Sequence, residues 1–242
     1  MTTRRRMMMA GNVSHVNADG MITDSWDTFI NNVKKGKGQQ YYNLGNYIPL
    51  DLGSHGLLNM EIIAFNPMWP NEDLSALPNI ALFSRELMND EFDISEQSIQ
   101  YGMPFGLYDT YRDKIPSFLP EPVKSSIVPI WKSLYTPDRF AASPASLLTS
   151  TWTLSHSDFC RLNFGGIDPE YYTYSGGPGR LNIKLFNWST RNKMKCADGF
   201  GPQRWALLDH SGTKFPWIVT GEGEVDTAAE FLNVYLPLGF CL

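Results

Sequence analysis

The sequence predicts an α+β protein built on a mixed, mainly antiparallel sheet with short flanking helices and long loops. Three observations lead there. First, between Tyr47 and Asn66 apolar residues alternate with polar ones: Ile48, Leu50 and Leu52, then Leu58, Met60, Ile62 and Ala64. Gly53-Ser54-His55-Gly56 lies between the two runs, so the stretch reads as a hairpin with one wet face. Second, the C-terminal third holds short apolar runs at residues 181–188, 205–208, 215–219 and 234–242, and Asp209-His210-Ser211-Gly212 is a turn that returns the second run on the third. Third, helical period is confined to short stretches.

In chain order, residues 1–22 mix small, polar and methionine residues without an apolar period, and are expected to form an extended N-terminal arm. Residues 23–242 are expected to form one domain, because a chain of 242 residues supports one main core. Asp24 or Ser25 can cap a helix whose apolar residues Trp26, Phe29, Ile30 and Val33 share one face, and Gly36 supplies a left-handed stop. Lys34, Lys35 and Lys37 cluster where the helix dipole favours cations, which makes a solvated helix end the simpler reading than a phosphate site.

After the hairpin, residues 80–83 read as a buried strand, and the polar stretch 86–103 as an insertion or surface loop. Two short helices are expected at about residues 107–115 and 121–128, separated by Pro116 and Pro120 and closed by Pro129. Trp152 and Leu154 suggest a strand, and Ser155 with Asp158 has the capping-box spacing for a short helix. Residues 164–180 place Tyr171, Tyr172 and Tyr174 among glycines and prolines, an ordered aromatic loop. The terminal Gly239-Phe240-Cys241-Leu242 suits a core strand better than a free tail.

Composition narrows the function classes. Hydrophobic residues make up 43%, charged residues 19% and aromatic residues 13%, which is globular, and the net charge of -5 argues against a nucleic-acid or membrane surface. Arg4, Arg5 and Arg6 precede Met7, Met8, Met9 and Ala10, but Gly11 ends the apolar stretch before it reaches the about 7 residues a secretory leader needs. No apolar run approaches the roughly 20 residues of a membrane span. Cys160, Cys196 and Cys241 are far apart and odd in number, so reduced, mostly buried thiols are expected.

No catalytic or metal motif stands out. GxSxG, HExxH, the EF-hand loop and Cys–His ligand spacing are all missing, so the sequence supports no catalytic residue, no metal and no other cofactor. His156 with Asp158 and Asp209 with His210 are close acid–imidazole pairs for which surface or turn duty is the simpler reading, and the adjacent Asp209 and His210 would point to opposite faces of a strand. Gly176-Gly177-Pro178-Gly179 lacks the ending of a phosphate loop, and Glu222, Glu224 and Asp226 read as solvated acids beside glycines. The expectation is a non-catalytic protein that works by being bound to or built into something larger.

The order of the short motifs carries a resemblance. An N-terminal helix leads to Gln40-Tyr41-Tyr42-Asn43-Leu44-Gly45-Asn46-Tyr47, then to a hairpin ending Met60-Glu61-Ile62-Ile63-Ala64-Phe65-Asn66. Phe118-Leu119-Pro120-Glu121-Pro122-Val123-Lys124-Ser125-Ser126-Ile127-Val128-Pro129, Trp152-Thr153-Leu154-Ser155 and Gly239-Phe240-Cys241-Leu242 follow. Together, over roughly residues 24–242, they resemble a domain of unknown function widespread in gut bacteria and their phages. That family has a Tyr-x-x-Gly-Asp segment, where Asn46 stands in place of the aspartate. It also has a Trp-Leu-Arg-Ser strand, where this chain reads Trp205-Ala206-Leu207-Leu208-Asp209. Such domains look similar to C-type-lectin-like and formylglycine-enzyme-like folds, and the Arg-Arg-Arg-Met-Met leader resembles those of phage structural proteins.

The resemblance implies a phage virion protein, either a capsid decoration or a tail or fibre component, located in the virion and assembled in the host cytoplasm. Arg4, Arg5, Arg6, Met7, Met8 and Met9 would dock it onto other virion proteins, through bidentate donors and adaptable apolar side chains. The implied state is a homo-oligomer. Tyr171, Tyr172, Tyr174 and Trp188 are the candidate contacts to a host-surface glycan or protein, since such rings offer large area at little entropic cost; packing within the loops is the competing reading. The alternative function is a bacterial carbohydrate-binding or adhesin module. A formylglycine-type enzyme would need paired reactive cysteines, for which the sequence gives no pairing.

Overall fold

In a computed structural model of the chain, the structure describes residues 14–67, 78–93, 99–100, 103–104, 107, 109–133, 146–154, 195–197, 200–210, 216–227 and 233–242. The expected class is observed: α+β, with mostly antiparallel sheets and short helices. Helix α1 (Trp26–Lys34) starts where Ser25 Oγ accepts from the Thr28 amide and ends before Gly36, whose φ of 71° no side chain adopts comfortably. Its buried face is Phe29, Ile30 and Val33, and Lys34 Nζ reaches Ser126 Oγ at 3.2 Å. Helix α2 (Gly38–Tyr41) follows at once.

The first large sheet holds β1 (Tyr47–Asp51), β2 (Leu57–Phe65), β3 (Ile80–Ser84), β9 (Thr151–Trp152) and β16 (Gly239–Cys241), in the order β1-β2-β3-β16-β9 with every pairing antiparallel. The second holds β4 (Glu91–Asp93), β12 (Trp205–His210), β13 (Pro216–Val219), β14 (Val225–Thr227) and β15 (Asn233–Tyr235), in the order β14-β13-β12-β15-β4. Its one parallel pairing is Trp205 with Tyr235. Two-stranded ribbons complete the set among the described residues: β5 (Ile99–Gln100) with β6 (Met103–Pro104), β7 (Ile130–Ser133) with β8 (Ser146–Thr149), and β10 (Lys195–Cys196) with β11 (Pro202–Gln203).

The hairpin forms where its period predicts, with a 3-10 turn at Gly53–His55. Its expected wet face does not last. A register shift between Ile62 and Ala64 inserts Ile63, after which Ile63 and Ala64 are both buried. The sheet is therefore covered on two sides. One core gathers α1 with Ile48, Leu50, Leu58, Met60, Ile62, Leu82 and Phe240. The other gathers Ile63, Ala81, Phe83, Trp152, Trp205 and Cys241.

Several expectations are corrected. The stretch 86–103 is not simply a surface loop: Leu87, Met88 and Phe92 are buried, and β4 pairs with β15. The run 234–242 is two strands in two sheets, broken at Pro237, which cannot donate to a ladder and whose carbonyl accepts from Tyr111 Oη at 2.7 Å. The first of the two later helices continues past Pro116, as a π-helical turn (Thr110–Lys114) leading into Ile115–Phe118 with the proline in the first turn, where its missing N–H is harmless. The next is only Glu121–Lys124. The expected strand at 181–188, the helix from Ser155 and the aromatic loop lie outside the described residues.

The arm was expected to run to residue 22. Residues 14–22 instead belong to the body: Ile22 is 2% exposed within the first core, its amide donates to the Tyr47 carbonyl at 2.7 Å, and Met21 bridges Tyr47 in parallel. A largely polar sequence packs here because its backbone bonds to Tyr47 are joined by the Ile22 side chain in the core and by the His15 and Asn17 side chains. Residues 1–13 lie outside the described residues.

Candidate functional site

All of the residues singled out for contact, Arg4, Arg5, Arg6, Met7, Met8 and Met9 at the N-terminus and Tyr171, Tyr172, Tyr174 and Trp188 in the loops, lie outside the described residues, as do His156 and Cys160. What the structure does place is residues 14–22, which follow the N-terminal segment in the chain. Asn17 Oδ1 accepts from the amides of Asp19 at 3.0 Å and Met21 at 2.8 Å, closing a turn that lets Val16 bridge Ile22. His15 is thereby laid against α2, its ring 4.3 Å from that of Tyr41 and its Nδ1 2.8 Å from Asp24 Oδ2.

The same carboxylate accepts from Tyr42 Oη at 2.7 Å, and Asn32 Nδ2 donates to that hydroxyl at 3.0 Å. Because Ser25 caps α1, Asp24 is left for this work. The two backbone carbonyls and amides that join Gly20 and Ile22 to Tyr47 complete a strap across the body, held at one end by strand-type bonds and at the other by an imidazole–carboxylate contact.

The histidine–acid pairs that form are distant in sequence, unlike those the sequence offered. Besides His15 with Asp24, His55 Nδ1 lies 2.6 Å from Asp90 Oδ2, and the His55 ring stacks on Phe118 at 3.6 Å and 16°. A carboxylate on Nδ1 orients an imidazole, which is one part of a general-base arrangement. Among the described residues no hydroxyl or thiol is hydrogen-bonded to either ring.

Two buried lysines escaped the sequence reading altogether. Lys195 is 6% exposed; its ammonium donates to the carbonyls of Ser84 and, at 3.2 Å, Arg85, and lies 4.6 Å from the Phe83 ring centroid. Burial pushes its amine down to about 8, with Arg85 pushing the same way and Glu61 and Glu86 pushing back. An amine in this range is chemically able to act as a nucleophile, but here its donors are committed to the end of β3. Lys132, fully buried, stands 5.1 Å from the Trp152 ring centroid, and Trp152 stacks on Phe83 at 5.8 Å and 7°. The Cys241 thiol is pushed up to about 12 by burial, which makes it unreactive. Cys196 is exposed, against the expectation of buried thiols, and both cysteines are free.

Among the described residues no group of three or more histidine, cysteine, aspartate or glutamate side chains could hold a metal ion, and no helix is long and apolar enough to cross a membrane. Glu222 and Glu224 are exposed. Family models, curated proteins and solved structures yield no match to this chain.

Proposed function

We propose that this chain is a phage virion structural protein, a capsid decoration or a tail or fibre component, that docks through its N-terminal segment and displays a binding domain of C-type-lectin-like type. The observation that carries the reading is the strap at residues 14–22. It fixes the chain to a well-packed body from residue 14 onward, shortly after the Arg4–Arg6 and Met7–Met9 stretch in sequence, through the His15–Asp24 contact and the Ile22–Tyr47 bond. A docking peptide transmits position only when its root is rigid, since each unconstrained residue dilutes the effective concentration of the docked state. Three guanidinium groups suit carboxylates on a partner, and three methionines suit an irregular apolar groove.

The test is deletion of residues 2–13, which removes the docking stretch and spares the strap. Particles purified from a host supplying this truncated chain should lack it, while particles made with the full chain carry it. Particles holding the truncated protein at normal copy number would refute the docking role, whereas absence of the full chain from particles would leave a free carbohydrate-binding or adhesin module as the reading.

A further inference from the structure

The β15–β4 ladder turns its two faces to different surroundings. Phe92 and Val234 are buried in the first core, whereas on the opposite face Glu91 and Asn233 are exposed and Tyr235, directly across from Glu91, is buried at 9% exposure against the second core. Tyr235 Oη donates to Glu91 Oε1 and Asn233 Nδ2 donates to Glu91 Oε2, each at 3.2 Å, so both carboxylate oxygens are held by neutral donors. Glu91 and Asn233 are exposed, and among the described residues no cation stands within ion-pair distance of Glu91. Beside them the Phe200 ring, 58% exposed, lies 6.3 Å from the Tyr235 ring at 41°.

A lone exposed phenylalanine is ordinary. One set beside a carboxylate whose oxygens are fixed in orientation but keep free lone pairs is a recognition pattern.

We propose that Phe200, Glu91 and Asn233 form a binding surface for a neutral pyranose sugar, with the buried Tyr235 positioning the Glu91 carboxylate through its hydroxyl. A pyranose presents an apolar patch of ring C–H groups and, on its rim, adjacent hydroxyls. The aromatic face takes the first and the Glu91 carboxylate takes the second as paired charge-assisted acceptors, with Asn233 Oδ1 as a further acceptor. Carboxylated sugars are disfavoured because they would bring a second negative charge against Glu91. The inference deepens the display reading above, and rests on it for the role of the surface, by naming the ligand class of the displayed domain.

The test is saturation-transfer NMR on the full chain with methyl α-D-glucopyranoside, methyl α-D-mannopyranoside and methyl β-D-galactopyranoside, with N-acetylneuraminic acid as the charged control. At least one methyl glycoside should receive saturation, the charged control should not, and Phe200→Ala and Glu91→Ala should each weaken binding by about tenfold or more. Phe200→Gln, which keeps side-chain bulk without the ring, gives the same answer should the alanine variant lose its melting transition. No transfer to any of the three glycosides, transfer to the charged control equal to theirs, or unchanged affinity in Phe200→Ala and Glu91→Ala, overturns the proposal. Loss of sugar binding with normal incorporation of Phe200→Ala into particles is the result expected if both readings hold. Sugar binding by a full chain that never enters particles would sink the display reading alone.

Discussion

Burying an ammonium group is costly, and Lys195, which has no carboxylate in ion-pair reach among the described residues, carries that cost visibly, its amine pushed down from 10.5 to about 8. A lysine whose folded value is depressed opposes folding fully below about 8 and progressively less as pH rises toward 10.5. Cys241 works in the opposite direction, since its thiol is raised from 9.0 to about 12 and stability is lost progressively as pH rises through 9.0. Between pH 8 and 9 the Lys195 contribution should raise the unfolding free energy by about 1 kcal/mol, opposed by a smaller Cys241 contribution. In Lys195→Met that rise should vanish, as read from urea melts at the two ends of the window; a persisting rise would assign it to another group. The helix makes a second residue-scale test. Trp26, expected to be buried, is only partly so and keeps a 2.9 Å bond from Nε1 to the Pro49 carbonyl, whereas Phe29 is fully buried. Phe29→Ala should cost about 3 to 5 kcal/mol and Trp26→Ala about 2 kcal/mol, and equal losses in chemical denaturation would contradict this division of the packing.

At the scale of elements, the C-terminal strand joins β3 to β9 within the first sheet. β16 pairs with β3 on one side and β9 on the other, and Gly239 stands directly opposite Trp152. A Cβ at Gly239 would fall 2.3 Å from the Trp152 ring, which is stacked on Phe83 and fully buried, so it has nowhere to retreat. Gly239→Ala is accordingly expected to lower stability by about 3 kcal/mol or more, an overpacking effect visible as a lower melting temperature. Trp152→Phe in the same background should return part of the loss by shortening the ring system, and failure to do so would show that the strain lies elsewhere. The bulge at Ile63 has a similar logic, because one inserted residue turns β2 from a half-wet strand into one buried on both faces.

For the molecule as a whole, the strap separates two truncations that the sequence treats as one. Deleting residues 2–13 should leave the melting temperature nearly unchanged. Deleting 2–22 should lower it, because Ile22 leaves the first core, the His15–Asp24 contact is lost, and the edge of β1 gives up its bonds to Gly20 and Ile22. The loss should be about 2 to 4 kcal/mol, on the scale of one buried aliphatic side chain with its backbone bonds. Identical calorimetric transitions for the two truncations would mean that the strap adds nothing to the body.

Much of the architecture follows from local pattern alone. Period two places β1 and β2, the i, i+3, i+4 spacing of Phe29, Ile30 and Val33 places α1, and the uninterrupted apolar run at Ile80 places a strand buried on both sides, because each pattern reports which face of a short element must leave water. The residues that occupy the two candidate surfaces are a different matter. Asp24 meets His15 and Tyr42, Glu91 meets Asn233 and Tyr235, and Lys195 meets Ser84, across chain separations that no local pattern encodes. The polarity of residues 86–103 even argues for a loop, yet β4 forms there because β15 offers it an unpaired edge and the core receives Phe92. Sequence determines which faces are apolar, since that is a property of neighbours along the chain; only the tertiary structure decides which polar side chains share a surface, since that depends on which strands pair.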